Sequence, residues 1–275
     1  MKRSSGARRG AAVAVSVLSL ALTTGCGGDS GAQDAKAPPG EDSSSTASTA
    51  STTAAAKALG AGELEKLIVT KADLDGYDVR PADTGDRFAA SKDQVTVADA
   101  KCEPIAYVLT GFAPGDESAY VNRMVTEKST EPTASGTSDE DLDNAMDGLQ
   151  DVLDSTMTIV SLSSYAGGGA EETMKSVTDA VGGCAGGFTV SAKGQDTQTF
   201  TKVAEEKSAG TGDQSVAFAV TSKVEGGTTT VHAEVVRHGS TVATYYTLSL
   251  AALAGKEDTY DIPADVVQAQ AAKLK

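Results

Sequence analysis

Apolar and polar side chains alternate along four segments in the last third of the chain. The inward positions of these segments are Phe188/Val190/Ala192, Val216/Phe218/Val220, Val231/Ala233/Val235 and Val242/Thr244/Tyr246/Leu248. A period of two indicates strands with one buried face. Gly226-Gly227 and His238-Gly239-Ser240 separate neighbouring segments and are typical of hairpin turns. The pattern therefore predicts an antiparallel meander, and further strands are expected at 119–125 and 156–165.

Helical spacing occurs in three other stretches. Residues 63–70, 169–181 and 263–275 each repeat apolar positions every three or four residues. We expect Gly182-Gly183 to end the second helix and Pro263 to begin the third. Pro104 favours another helix start, and the acidic stretch 135–154 is interpreted as a loop followed by a helix. The prediction is one α+β domain over residues 61–275, with an antiparallel sheet and helices packed on one face.

The first 25 residues have the three parts of an export signal. Lys2, Arg3, Arg8 and Arg9 precede an apolar run from Ala11 to Leu22. That run is shorter than the roughly 20 residues needed for a spanning helix. Thr23-Thr24-Gly25-Cys26 is similar to a bacterial lipobox, with Thr23 where Leu is usual.

The lipobox predicts cleavage before Cys26 and acylation of its thiol with diacylglycerol. Two acyl chains, such as palmitate, suffice for stable anchoring at the outer face of the membrane. A plain signal peptide with an unrelated cysteine is the alternative. Arg8-Arg9 leaves twin-arginine or general secretory export open.

Residues 26–60 are expected to form a tether. Their composition shifts to Ser, Thr, Ala, Gly and Pro, which cannot bury enough apolar area to offset the entropy of ordering. A flexible chain of this length spans roughly 30–35 Å. The tether is either plain linker or an O-glycosylated stalk.

Charge and composition exclude some partners. The formal net charge is −15, and the 19 basic and 38 acidic residues that follow Cys26 give about −19 for the mature chain. Such a surface repels phosphate backbones, so we expect no nucleic-acid partner. The chain has no Trp and 4% aromatic residues, which argues against a stacking platform for carbohydrates.

Cys102 and Cys184 remain after Cys26 is assigned to the anchor. An exported pair normally bridges, and with two cysteines only one pairing exists. Closing a loop of about 80 residues stabilises a fold by roughly 4–5 kcal/mol in the chain-entropy account. We therefore predict a structural disulfide, because the spacing is not that of a redox Cys-x-x-Cys pair.

Candidate catalytic and metal-binding residues are few. His232 and His238 would share a strand face, but no third ligand is evident, so a surface or turn role is favoured. The acidic run 139–144 lacks the glycine and distal glutamate of an EF-hand loop. Gly167-Gly168-Gly169 could cradle an anion before a helix or form a plain turn. No Gly-x-Ser-x-Gly, Ser-x-x-Lys or His-Glu-x-x-His motif occurs. We therefore predict that the protein is not an enzyme and that it has no cofactor and no metal site.

Several short motifs resemble the extracellular sensor domains of actinobacterial, mycobacterial-type Ser/Thr kinases and related lipoproteins. The matching pieces are Leu67 with 72–77, 102–106, a helix ending at Cys184 before 188–190, and the hairpin 235–242. The resemblance implies an antiparallel sheet flanked by helices, with a cleft for an envelope ligand. That family often has two disulfides, whereas this chain has one available pair.

The sequence thus predicts a membrane-anchored extracytoplasmic lipoprotein with a non-catalytic, sensor-like binding domain for an envelope ligand, either a small molecule such as a lipid or glycan, or a peptide or protein. The alternative is an accessory protein-binding subunit of a cell-envelope complex. A cavity of several hundred cubic ångströms with apolar walls would favour the first hypothesis. An exposed apolar patch would favour the second.

Overall fold

The computed structural model describes residues 57–83, 88–128, 155–224, 227–253 and 260–275. Within these ranges, nine strands form one antiparallel sheet in the order β1-β3-β4-β9-β8-β7-β6-β5-β2. Their bounds are β1 Tyr77–Arg80, β2 Val95–Val97, β3 Ala119–Glu127, β4 Thr156–Ser164, β5 Phe188–Ala192, β6 Gln198–Glu206, β7 Gln214–Val224, β8 Gly227–His238 and β9 Thr241–Ser249. Cys26 and the predicted helix within 135–154 lie outside the described residues.

Five helices accompany the sheet in the described part of the chain. They are α1 Ala61–Leu67, α2 Glu103–Leu109, α3 Gly169–Gly183, α4 Leu250–Leu253 and α5 Ala264–Lys273, and 3₁₀ turns occupy Lys92–Gln94 and Ala100–Cys102. None of these described helices is both long and apolar enough to cross a membrane.

The meander and the α+β class are confirmed. Strands β5 to β9 are consecutive neighbours in the sheet. The β7–β8 hairpin closes with Val224 opposite Gly227, and β8–β9 closes with His238 opposite Thr241. Gly239 in the second turn has a φ of +60°, a backbone conformation that glycine adopts readily.

The helices lie on both faces of the sheet, which differs from the predicted single face. Val235 packs in a core with α2 and α3, while its neighbour Val236 packs in a core with α1 and α5. Successive side chains of a strand point to opposite faces. The central strands are apolar at both sets of positions, so each face requires its own layer of helices.

The helix α3 ends at Gly183, as predicted, but the predicted positive φ at Gly182-Gly183 is wrong. The helix runs through both glycines, and its C-cap is Cys184 with a φ of −108°. The Cys184 N–H donates to the Ala180 carbonyl at 2.9 Å. Positive φ is found instead at Gly187, where a Cβ would clash with the Phe200 carbonyl of β6.

The predicted disulfide between Cys102 and Cys184 is confirmed. Their Cα atoms are 6.0 Å apart, and both residues are buried in the same core. Cys102 immediately precedes α2 and Cys184 caps α3. The bond therefore joins the two helices that cover one face of the sheet.

Candidate functional site

A cavity of about 510 Å³ lies on the sheet face that carries α2 and α3. We call it the apolar cavity and this face the cavity face. Its lining comes from α2 and from strands β5 to β9: Leu109, Thr110, Val190, Thr197, Gln198, Thr199, Phe200, Ser222, Lys223, Val224, Thr229, Val231, Tyr246 and Leu248. Its volume is within the range of sites that hold small ligands.

The inner walls of the apolar cavity are hydrophobic. Leu109, Val190, Phe200, Val231 and Leu248 are all buried and contact the cavity. Strand alternation explains their position, because β5 and β9 direct their even-numbered residues to the cavity face and β8 its odd-numbered ones. Exposed residues of β6 and of the segment before it line the remaining side and form the mouth.

Among the described residues that line the cavity, Lys223 is the one that carries a charge. On β7, Phe218 and Val220 belong to the core of the cavity face. Alternation therefore places Ser222 on the cavity face and directs the Lys223 side chain to the opposite face. The described side chains that point inward consequently carry no formal charge.

The hydroxyl of Thr229 is a polar group buried at the cavity wall. Thr229 is 4% exposed, and its Oγ1 has no hydrogen-bond partner within the described residues. Thr110, also at the wall, instead donates to the Ala106 carbonyl at 2.9 Å. An unpartnered buried hydroxyl costs about 1–3 kcal/mol, so Thr229 is the group that a ligand would satisfy.

Tyr246 adds a phenol to the lining. The residue is half-buried, and loss of hydration raises the pKa of Tyr246 to about 12. The phenol therefore stays protonated and able to donate a hydrogen bond throughout the neutral pH range.

A second concavity, about 480 Å³, lies on the opposite face. We call it the polar cavity, because Glu206, His232, Glu234 and Asp261 line it. His232 Nδ1 is 2.9 Å from Glu206 Oε2, and Glu234 Oε1 accepts from the Ala209 N–H at 2.8 Å. Burial raises the pKa of Glu234. Three of these four side chains thus have partners within the chain.

The structure gives the two histidines separate surroundings. His232 contacts Glu206 and stacks edge-on against Tyr260, with ring centroids 4.9 Å apart. His238 lies beside the β8–β9 turn, and burial lowers its pKa. The described ranges contain no group of three or more His, Cys, Asp or Glu side chains placed to hold a metal ion.

The other predicted site residues that the structure describes do not line either cavity. Gly168 forms the N-cap of α3, and its carbonyl accepts from the Glu171 and Glu172 N–H groups at 3.1 Å. The lipidation residue Cys26 and the acidic run 139–144 lie outside the described residues. The disulfide cysteines hold α2 and α3 together at the cavity face without lining the cavity.

The sequence analysis placed Val190, Val231, Tyr246 and Leu248 at inward strand positions, but it did not identify a cavity there or a role for Thr229. Thr229 stands within the run Thr228-Thr229-Thr230, which has the composition of an exposed strand end. The sequence does contain a signal for its position. Thr229 continues the series of every second residue formed by Val231, Ala233 and Val235, so the strand period places its side chain on the buried face.

Comparison with solved structures finds a weak structural likeness. No family model matches the chain, and no curated protein sequence matches it. Among solved structures, the extracellular domain of PknH from Mycobacterium tuberculosis matches with a TM-score of 0.43 and 15% identity, over 79% of this chain and 95% of that one. A TM-score this low does not establish a shared fold.

Proposed function

We propose that the protein is a non-catalytic, lipid-anchored extracytoplasmic binding protein whose apolar cavity holds a small molecule of the cell envelope. The apolar cavity is the observation that carries this proposal. It combines a ligand-sized volume of about 510 Å³ with buried hydrophobic walls and a buried unpartnered hydroxyl. Binding sites for small molecules characteristically join apolar walls with a few placed polar groups.

The proposed location follows from the N-terminal sequence and is consistent with the disulfide. Cys26 would carry diacylglycerol, and the segment 26–60 would connect the domain to the outer face of the membrane. The Cys102–Cys184 bond supports export, because structural disulfides persist in oxidising compartments. The cavity also favours a small-molecule ligand over the alternative of an accessory protein-binding subunit.

Titration with the neutral fluorescent probe N-phenyl-1-naphthylamine tests the binding function. The protein is the mature chain, residues 26–275, carrying Cys26→Ala so that no detergent is needed. Ser222→Trp fills the cavity from a half-buried position on β7 and should weaken binding about tenfold or more, equivalent to about 1.4 kcal/mol. Ser176→Trp, on the exposed side of α3, is the matched control and should leave binding unchanged.

Two results would contradict the proposed binding function. One is a wild-type chain that does not bind the probe, and the other is equal binding by the Ser222→Trp variant. Circular dichroism and thermal unfolding of both variants confirm that the comparison is made between folded proteins.

Cell fractionation tests the anchor. The full chain should sediment with membranes, and Cys26→Ala should release it to the soluble fraction, because the acyl acceptor is gone. A Cys26→Ala protein that remains with the membrane fraction would refute anchoring through this cysteine.

A further inference from the structure

We infer that the apolar cavity selects an uncharged amphiphile, a ligand with an aliphatic body and one neutral hydrogen-bonding group such as a hydroxyl, an ester or an amide. This inference rests on the proposed function and adds the chemical class of the ligand. Three features carry it: inward side chains without charge, a polar pair on two neighbouring strands, and hydrophobic walls beside that pair.

The lack of inward charge disfavours an ionised head group. Lys223 is directed to the opposite face by the alternation of β7, and the other lining residues that the structure describes are neutral. An ion that leaves water for such a site loses hydration without gaining a counter-charge, which is strongly unfavourable. A neutral polar group loses far less hydration, and hydrogen bonds to the wall can replace it.

Ser222 and Thr229 provide that polar position. They are directly opposite each other on β7 and β8, so their Cβ atoms are about 4.5–5.5 Å apart. One ligand hydroxyl or carbonyl can therefore reach both side chains. Thr229 Oγ1 has no partner within the described residues, and a ligand group placed here would supply one.

Hydrophobic residues surround the polar pair and define where the aliphatic body lies. Phe200 is opposite Ser222 on β6, while Val231 follows Thr229 on the same face of β8. Leu109 of α2 and Leu248 of β9 complete this part of the lining. The ligand is thus oriented with its neutral group at Ser222 and Thr229 and its chain against these four side chains.

A matched series of ten-carbon ligands tests the charge preference. 1-Decanol, decanoate and decyltrimethylammonium compete at pH 8 against N-phenyl-1-naphthylamine bound to the mature chain carrying Cys26→Ala. Decanol should displace the probe, and each ion should be about tenfold weaker or more. Equal potency of the ions would overturn the inference while the proposed binding function stands. Failure of the probe to bind at all would instead remove the proposed function itself.

Substitutions at Thr229 test the polar position. Thr229→Val keeps the volume and removes the hydroxyl, so decanol affinity should fall about 2- to 10-fold, the range for one neutral hydrogen bond. Thr229→Ser keeps the hydroxyl and should retain the affinity. Tyr245→Phe removes another buried hydroxyl that has no partner within the described residues, on the opposite face, and should leave the decanol affinity unchanged. Unchanged decanol affinity in Thr229→Val would refute the assigned role of Thr229.

Discussion

The two faces of the sheet hold their helices by different means. On the cavity face, the Cys102–Cys184 disulfide joins the start of α2 to the end of α3. On the opposite face, α1 and α5 are joined by hydrogen bonds through one side chain. The fully buried Gln270 donates to the Leu67 carbonyl and accepts from the Val69 N–H, each at 2.9 Å.

The cavities of the two faces differ in their charge and in the pairing of their polar groups. The polar cavity contains charged groups that are largely paired within the chain, whereas the apolar cavity has neutral walls and the unpartnered Thr229 hydroxyl. A covalent bond between helices limits the entropy of the unfolded chain. The stability that this bond adds to the whole domain offsets the cost of an unfilled volume and an unsatisfied polar group on the cavity face, which are the features of a ligand site.

Among the substitutions that test the difference between the two faces, removal of the disulfide should have the largest effect on stability. Cys102→Ala combined with Cys184→Ala opens a link between residues 82 positions apart, and we expect the free energy of unfolding to fall by about 3–5 kcal/mol. Guanidinium unfolding of the mature chain gives the measurement. A loss below about 1 kcal/mol would mean that the disulfide does not account for the stability of the cavity face.

Gln270→Leu should break the corresponding link on the opposite face. The substitution leaves the Val69 N–H and the Leu67 carbonyl without their side-chain partner, which should cost about 2–3 kcal/mol in urea unfolding. Gln268→Leu, exposed on the same helix, is the control and should be nearly neutral. Probe binding should stay unchanged, and a parallel loss of binding would show that the faces are not independent.

Thr229→Val and Tyr245→Phe should each stabilise the protein. Both substitutions remove a buried hydroxyl without a partner in the described residues, so each should raise the free energy of unfolding by about 1 kcal/mol. Thermal unfolding of the ligand-free chain checks this. Only Thr229→Val should also weaken decanol binding, because Tyr245 lies on the other face. Destabilisation by Thr229→Val would indicate that its hydroxyl already has a partner.

Glu234→Gln should have the smallest effect, and that effect should depend on pH. Burial raises the pKa of Glu234 in the folded state, so the folded protein holds this proton at pH values where the unfolded chain has released it. The associated stability is present below the unfolded pKa near 4.5 and is lost as the pH rises through the folded pKa. Glu234→Gln should therefore be more stable than wild type at pH 7, with the difference vanishing near pH 4. A difference independent of pH would contradict this explanation.

Local alternation was sufficient to predict strands β5, β7, β8 and β9. Strand β6 was missed because only Phe200 and Val203 are buried along it, and the register shifts between Phe200 and Lys202. This irregularity disrupts the period of two on which the prediction depends. Strands β1 and β2 are only four and three residues long, which is too short for a period to be recognised.

The candidate site was less predictable than the fold. Leu109, Phe200, Ser222, Thr229 and Leu248 come from five different elements, and no local motif joins them. Alternation alone places Thr229 on a buried face, but only the register across the sheet shows that it is opposite Ser222. The disulfide was predictable because two cysteines of an exported domain allow a single pairing.

Native mass spectrometry of the protein released from its own membrane tests the central claim most directly. The wild-type protein and the Ser176→Trp control should carry a non-covalently bound, uncharged small molecule, and Ser222→Trp should have lost it. A charged ligand would contradict the inferred ligand class. Equal occupancy in all three proteins, or no bound molecule in any of them, would contradict the assignment of the apolar cavity as the binding site.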